Sequence, residues 1–136
     1  MNSSKNKLID LSIEARNFSH SPYSHKKIGA AILLTNGKIY SGANIENASY
    51  GGTVCAERVA ILKAYSENKS SEAKIQSVVV SSDEKSPWPP CGFCRQVIAE
   101  FATQETEITL VNLDKKEISM KFSDLFPFAF EPKHLG

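Results

Sequence analysis

Three cysteines and one glutamate have the types and spacing to do chemistry together. Cys55 and Glu57 lie in Thr53-Val54-Cys55-Ala56-Glu57-Arg58, and Cys91 and Cys94 in Pro90-Cys91-Gly92-Phe93-Cys94-Arg95. The chain has no other cysteine. C-x-x-C spacing lets two thiolates grip one ion at a turn or helix start, and Cys55 adds a third sulfur. Three protein ligands leave a tetrahedral zinc ion with one open position, the mark of a catalytic site. A water there ionises near neutral pH, because the cation lowers its pKa to about 7. Glu57, beside it, can take that proton and pass it on. A structural zinc site would want a fourth protein ligand, and His20, His25 and His134 stand at no motif spacing.

The order C-x-E followed by P-C-x-x-C resembles the zinc-dependent cytidine deaminases, whose described signature includes a three-cysteine form. Tyr23-Ser24, Gly29-Ala30-Ala31, Asn44-Ile45-Glu46-Asn47-Ala48-Ser49-Tyr50, Gln96-Val97 and Leu125-Phe126-Pro127-Phe128-Ala129-Phe130 extend the likeness to the short, nucleoside-specific branch. The likeness runs over nearly the whole chain. It implies one zinc ion per subunit on Cys55, Cys91 and Cys94, and hydrolytic deamination of cytidine and deoxycytidine to uridine and deoxyuridine. Zinc-bound hydroxide attacks C4, while Glu57 protonates N3 and then the leaving ammonia. The resemblance also assigns Asn44 and Glu46 to the ribose hydroxyls and the Ala56 N–H to the base carbonyl. Phe130 covers the base from a neighbouring subunit, which implies a homotetramer, and Arg58 offsets thiolate charge. Arg95 is a second candidate for that last role.

One position departs from the pattern: Lys26 stands where the family usually has a phenylalanine lining the nucleoside pocket. Trp88, between prolines before Cys91, is a candidate replacement wall. This keeps a second reading open, deamination of a modified nucleoside or a blasticidin-type antibiotic. Polynucleotide deamination and a non-enzymatic zinc-binding module are two further readings. A buried carboxylate at Glu46 would disfavour a 3′-phosphate, and hence a strand.

These residues need a scaffold. Leu8, Leu11, Ala15 and Phe18 recur at helical steps. Residues 28–34 are a continuous apolar run, as in a strand covered on both faces. Asn36-Gly37 signals a hairpin into a strand over 39–42. Residues 43–53 form a long ordered loop, a length that is often functional. A helix follows Cys55, a strand covers 75–81, and three prolines keep 83–90 irregular. A second helix starts at Cys91 with Val97, Ile98, Phe101 and Ala102 inward. Strands over 108–112 and 117–120 are joined too closely for a parallel crossover, and a brief helix covers 123–126. The fold class is α/β: one domain over 1–136, a three-layer α-β-α arrangement with a mixed sheet of about five strands, the last two antiparallel.

Composition sets the outer bounds. With 136 residues, 41% apolar and 23% charged, the chain suits one globular core. A net charge of +1 gives no polyanion footprint, so no nucleic-acid partner is expected. No apolar run is long enough to span a membrane, and Met1 to Lys7 is polar, without the apolar core of a signal peptide. An odd number of thiols suits a reducing, cytoplasmic setting.

Overall fold

The computed structural model describes residues 2–136; Met1 lies outside that range. The strands are β1 (Gly29–Leu34), β2 (Ile39–Ala43), β3 (Ile75–Ser82), β4 (Ala102–Asn112) and β5 (Glu117–Lys121), and the helices α1 (Asn2–Ala15), α2 (Ala56–Tyr65), α3 (Gly92–Phe101) and α4 (Phe122–Leu125). The strands form one sheet in the order β2-β1-β3-β4-β5. β1 pairs antiparallel with β2 and β3, β3 parallel with β4, and β4 antiparallel with β5. Gly37 takes φ 90°, the left-handed conformation that the tight β1–β2 turn needs. The parallel pair requires a long crossover, which α3 supplies.

Strand periodicity divides the core. Ile32, Leu34, Val78, Val80, Ile108 and Leu110 face Ala60, Ile61, Ile98, Ala99, Phe122 and Leu125 of α2, α3 and α4. The alternate residues Ala31, Val79 and Val111 face Leu8 and Ile9 of α1. The sheet therefore carries α1 on one face and the other helices on the opposite face, as the apolar run of β1 predicted.

Two glycines set how close the helices come. A Cβ on Gly42 would stand 2.7 Å from the Ala60 nitrogen and 2.8 Å from the Ala56 carbonyl oxygen, so α2 docks directly on β2. A Cβ on Gly29 would fall 1.8 Å from the Ser12 carbonyl oxygen of α1.

Two sequence expectations need correction. Phe18 does not continue the α1 stripe. The helix ends at Ala15, a tighter 3₁₀ turn over Arg16–Phe18 rotates the ring outward, and it is 76% exposed. The fourth strand starts at Ala102, well before 108. Its first part is mostly solvent-facing and lacks apolar alternation; buried Thr106 anchors it by donating to the Ile75 carbonyl at 2.7 Å. Among the described residues, no helix is long and apolar enough to cross a membrane.

Candidate active site

The three sulfurs come from two helix starts on the same face of the sheet. Cys55 is the N-cap of α2 and Cys91 the N-cap of α3; Cys94 lies one turn in and is buried. Both caps are extended and place their sulfurs at the positive end of a helix dipole. The Cys94 N–H donates to the Cys91 sulfur at 3.4 Å, which caps the helix. The Cys91–Cys94 sulfur separation is 3.4 Å and the Cys55–Cys91 separation 4.0 Å. All three sulfurs lie within 4.8 Å of one another.

Sulfurs on one tetrahedral zinc, each about 2.3 Å from the metal, stand about 3.8 Å apart. The two measured separations lie on either side of that value, within about 0.4 Å of it. Among the described residues no histidine or carboxylate completes the cluster, so its fourth corner is open to water or substrate. The donor set fits zinc.

Glu57 is carried in the first turn of α2 and is 4% exposed. Burial pushes its carboxyl up to about 7, and the charge of Cys55 pushes the same way. In the metal-free trio the Cys55 thiol lies well below its ordinary range. The hydrogen bond from Cys94 is the main cause, and Arg58 adds to it. Sharing that proton pushes Cys94 up. Arg58 Nη2 donates to the Thr53 carbonyl at 3.0 Å and reaches the Cys55 sulfur at 3.9 Å. Its guanidinium carbon lies 4.2 Å from the centre of the Phe93 ring, and its Nε is buried without a partner. The structure thus brings Cys55, Glu57, Arg58, Cys91 and Cys94 together.

Arg95 does not join them. It donates through Nε to Pro90 and through Nη1 to Leu125, both backbone carbonyls, and so ties α3 to α4. Its place on α3 turns it away from the sulfurs and toward carbonyls that α4 leaves unpaired.

The loop after β2 returns past the site through isolated bridges, Ile45 with Val54 and with His20. Asn44 is buried: Oδ1 accepts from the Ile28 N–H at 3.0 Å and the Ser19 hydroxyl at 2.5 Å, and Nδ2 donates to the Lys26 carbonyl at 2.8 Å. Glu46 is half-buried, not buried as its expected role implied, because it stands at the mouth of the loop. Oε1 accepts from the Tyr23 and Ser24 N–H groups at 3.0 and 3.1 Å, and Oε2 from the Ser24 hydroxyl at 2.5 Å. The Ser24 hydroxyl is the main reason its carboxyl lies below the usual range.

Lys26 pairs with Glu84 and lies near Trp88. Its Nζ is 3.2 Å from Glu84 and 5.6 Å from the centre of the Trp88 ring, linking the segment that holds Glu46 to the one that leads into Cys91. Phe130 is 53% exposed on the C-terminal tail, stacked on His134 with its carbonyl accepting from Gln96. Sequence reasoning did not find Phe93 or Glu84. Both contacts depend on side chains from separate segments, and no spacing rule signals them.

Residues 2–110 match the family described as "Cytidine and deoxycytidylate deaminase zinc-binding region". The chain is 45% identical over 129 residues to a cytidine deaminase of Halalkalibacterium halodurans, covering 95% of this chain and 96% of that one. It is 42% identical to a cytidine deaminase of Sporosarcina psychrophila, over 96% of this chain and 93% of the other. Among solved structures, a cytidine deaminase from Burkholderia pseudomallei superposes with TM-score 0.85 at 36% identity, covering 92% of this chain and 98% of that one. The cytidine deaminase from Mycobacterium tuberculosis gives TM-score 0.77 at 30% identity, over 92% and 95% of the two chains.

Proposed function

This chain belongs to the cytidine and deoxycytidylate deaminase zinc-binding family, and from that premise we propose that it hydrolyses free cytidine and deoxycytidine to uridine and deoxyuridine with release of ammonia. The observation that carries this reading is a buried carboxyl, Glu57, set against three converging sulfurs with one corner left open. Cys55, Cys91 and Cys94 would hold zinc, which when bound supplies a Lewis acid that makes water nucleophilic near neutral pH. Glu57 would accept one proton of the attacking water and deliver it to N3 of the base as the C4–O bond forms; it would then take the proton of the new C4 hydroxyl and pass it to the amine, which leaves as ammonia when the C4–N bond breaks. A buried carboxyl whose pKa burial raises is suited to both accept and give up a proton. Arg58 offsets the negative charge of three thiolates.

The substrate-side residues follow from counting unused hydrogen-bond capacity. Asn44 spends both acceptor sites and one N–H inside the chain, which leaves one N–H for a ribose oxygen. Glu46 accepts three internal bonds and keeps one acceptor site for a ribose hydroxyl. Ala56 is the first residue of α2, so its N–H has no intrahelical acceptor and is available to the base carbonyl. Phe130, on the exposed tail, covers the base of a neighbouring copy in a homotetramer. The reaction belongs to pyrimidine salvage in the cytoplasm.

One observation favours a second reading. The Lys26–Glu84–Trp88 cluster gives the 26-side wall an ion pair and an indole, which a nucleoside altered on its base or sugar could use. The test is a substrate panel of cytidine, deoxycytidine and a blasticidin-type nucleoside, with zinc measured on the same preparation. Uridine and ammonia formed in equal amounts support the main reading. Turnover of the antibiotic alone supports the second. No turnover at one zinc per chain overturns both.

A further inference from the structure

We infer that Phe93 is a positioning residue that holds Arg58 against the zinc-binding sulfurs and so governs how tightly the site keeps its metal. The inference rests on the zinc assignment above. It starts from charge. Three thiolates around a divalent cation would carry a net formal charge of −1, which a positive group placed beside them offsets. Arg58 is that group: its Nη2 reaches the Cys55 sulfur at 3.9 Å while donating to Thr53 at 3.0 Å.

Arg58 is a long side chain with several rotamers, and two contacts through one nitrogen do not fix a planar guanidinium. Phe93 supplies the missing constraint. Its ring covers the guanidinium at 4.2 Å, well within the reach of a cation–π contact. Phe93 lies between Cys91 and Cys94 in the C-x-x-C turn, so the residue that holds Arg58 sits in the segment that holds two sulfurs. Metal, turn and cation are therefore fixed relative to one another. The ring also removes water from one face of the guanidinium, so its charge acts on the sulfurs through a less polarisable medium. The buried, unpartnered Nε agrees with a guanidinium shut off from solvent on that side. The ring is 64% exposed, so its position is not explained by burial in the core of this chain.

The experiment compares zinc release from the purified holoenzyme to excess chelator for the wild type, Phe93→Ala, Phe93→Leu and Phe93→Tyr, together with zinc content, thermal midpoint and oligomeric state. Tyr keeps the π face, Leu keeps bulk without it, and Ala keeps neither. The expected result is release roughly 3- to 30-fold faster in both Phe93→Ala and Phe93→Leu, the range a cation–π contact represents, with Phe93→Tyr close to wild type. In these variants the thermal midpoint of the zinc-free protein should stay unchanged, which separates positioning from packing. Release from Phe93→Leu at the wild-type rate overturns the inference and assigns the ring to apolar cover. A change of oligomeric state with unaltered release overturns it in favour of an interface role. A wild type that never binds zinc instead defeats the metal assignment itself.

Discussion

Glu57 carries the largest conflict between function and stability at the scale of single residues. A carboxyl that is 4% exposed destabilises the fold when ionised and can titrate near neutral pH because of that burial. Glu57→Gln keeps the shape and removes the proton donor. We expect it to bind one zinc per chain, to lose roughly 10²- to 10⁴-fold in kcat, and to melt no lower than the wild type. Elemental analysis, steady-state kinetics and thermal melting check the three parts. The place of Glu57 beside the sulfurs was legible because cysteine, glutamate and spacing together specify few arrangements. Arg95 looked like Arg58 in sequence, each following a ligand motif, yet only Arg58 faces sulfur. Helix phase and the position of α4 decide between them, and neither is visible in a local string.

At the scale of elements, the site depends on how closely α2 lies on β2. Gly42 makes that contact, and the helix turn it touches runs from Ala56 to Ala60 and so includes Glu57. Gly42→Ala would drive a methyl group into the Ala56 carbonyl and the Ala60 nitrogen, both backbone atoms that cannot swing aside. We expect a loss of about 1–3 kcal/mol in stability, as for other overpacked sites, with a fall in kcat because Glu57 shifts with the helix. Chemical denaturation and kinetics test both. The strand over 29–34 was readable because a continuous apolar run marks it, and that over 75–82 because Val78, Val79 and Val80 form its centre. The solvent-facing start of β4 was not, since Thr103, Gln104 and Glu105 give no periodic signal and the strand there is set by pairing and by Thr106. Likewise the loop over 43–53 was recognisable as a loop, but the bridges of Ile45 to His20 and Val54 are long-range and unsignalled.

At the scale of the whole molecule, the C-terminal tail bears on the proposed homotetramer. Phe128 takes φ 55°, a left-handed conformation unfavourable for a bulky residue, and its ring is fully exposed. Phe128→Gly should stabilise the isolated subunit by about 1 kcal/mol, through relief of the backbone, while weakening association of subunits. Denaturation at low protein concentration reads the first effect, and sedimentation against concentration the second. An aromatic that leaves assembly unchanged when removed would contradict the oligomeric part of the proposed function.

The separation of the sulfurs along the chain has one more consequence. Cys55 and Cys91 are 36 positions apart, so an ion shared between them acts as a cross-link that ties α2 to α3 across the whole of β3. By the loop-closure entropy of a covalent bridge of that span, the tether is worth about 4 kcal/mol. Stripping the metal with a chelator should therefore lower the melting temperature markedly and speed unfolding, and the two should recover together on adding zinc back. The ion that serves catalysis also serves as a clasp, and the protein's lifetime in a metal-poor medium is set by how often that clasp opens.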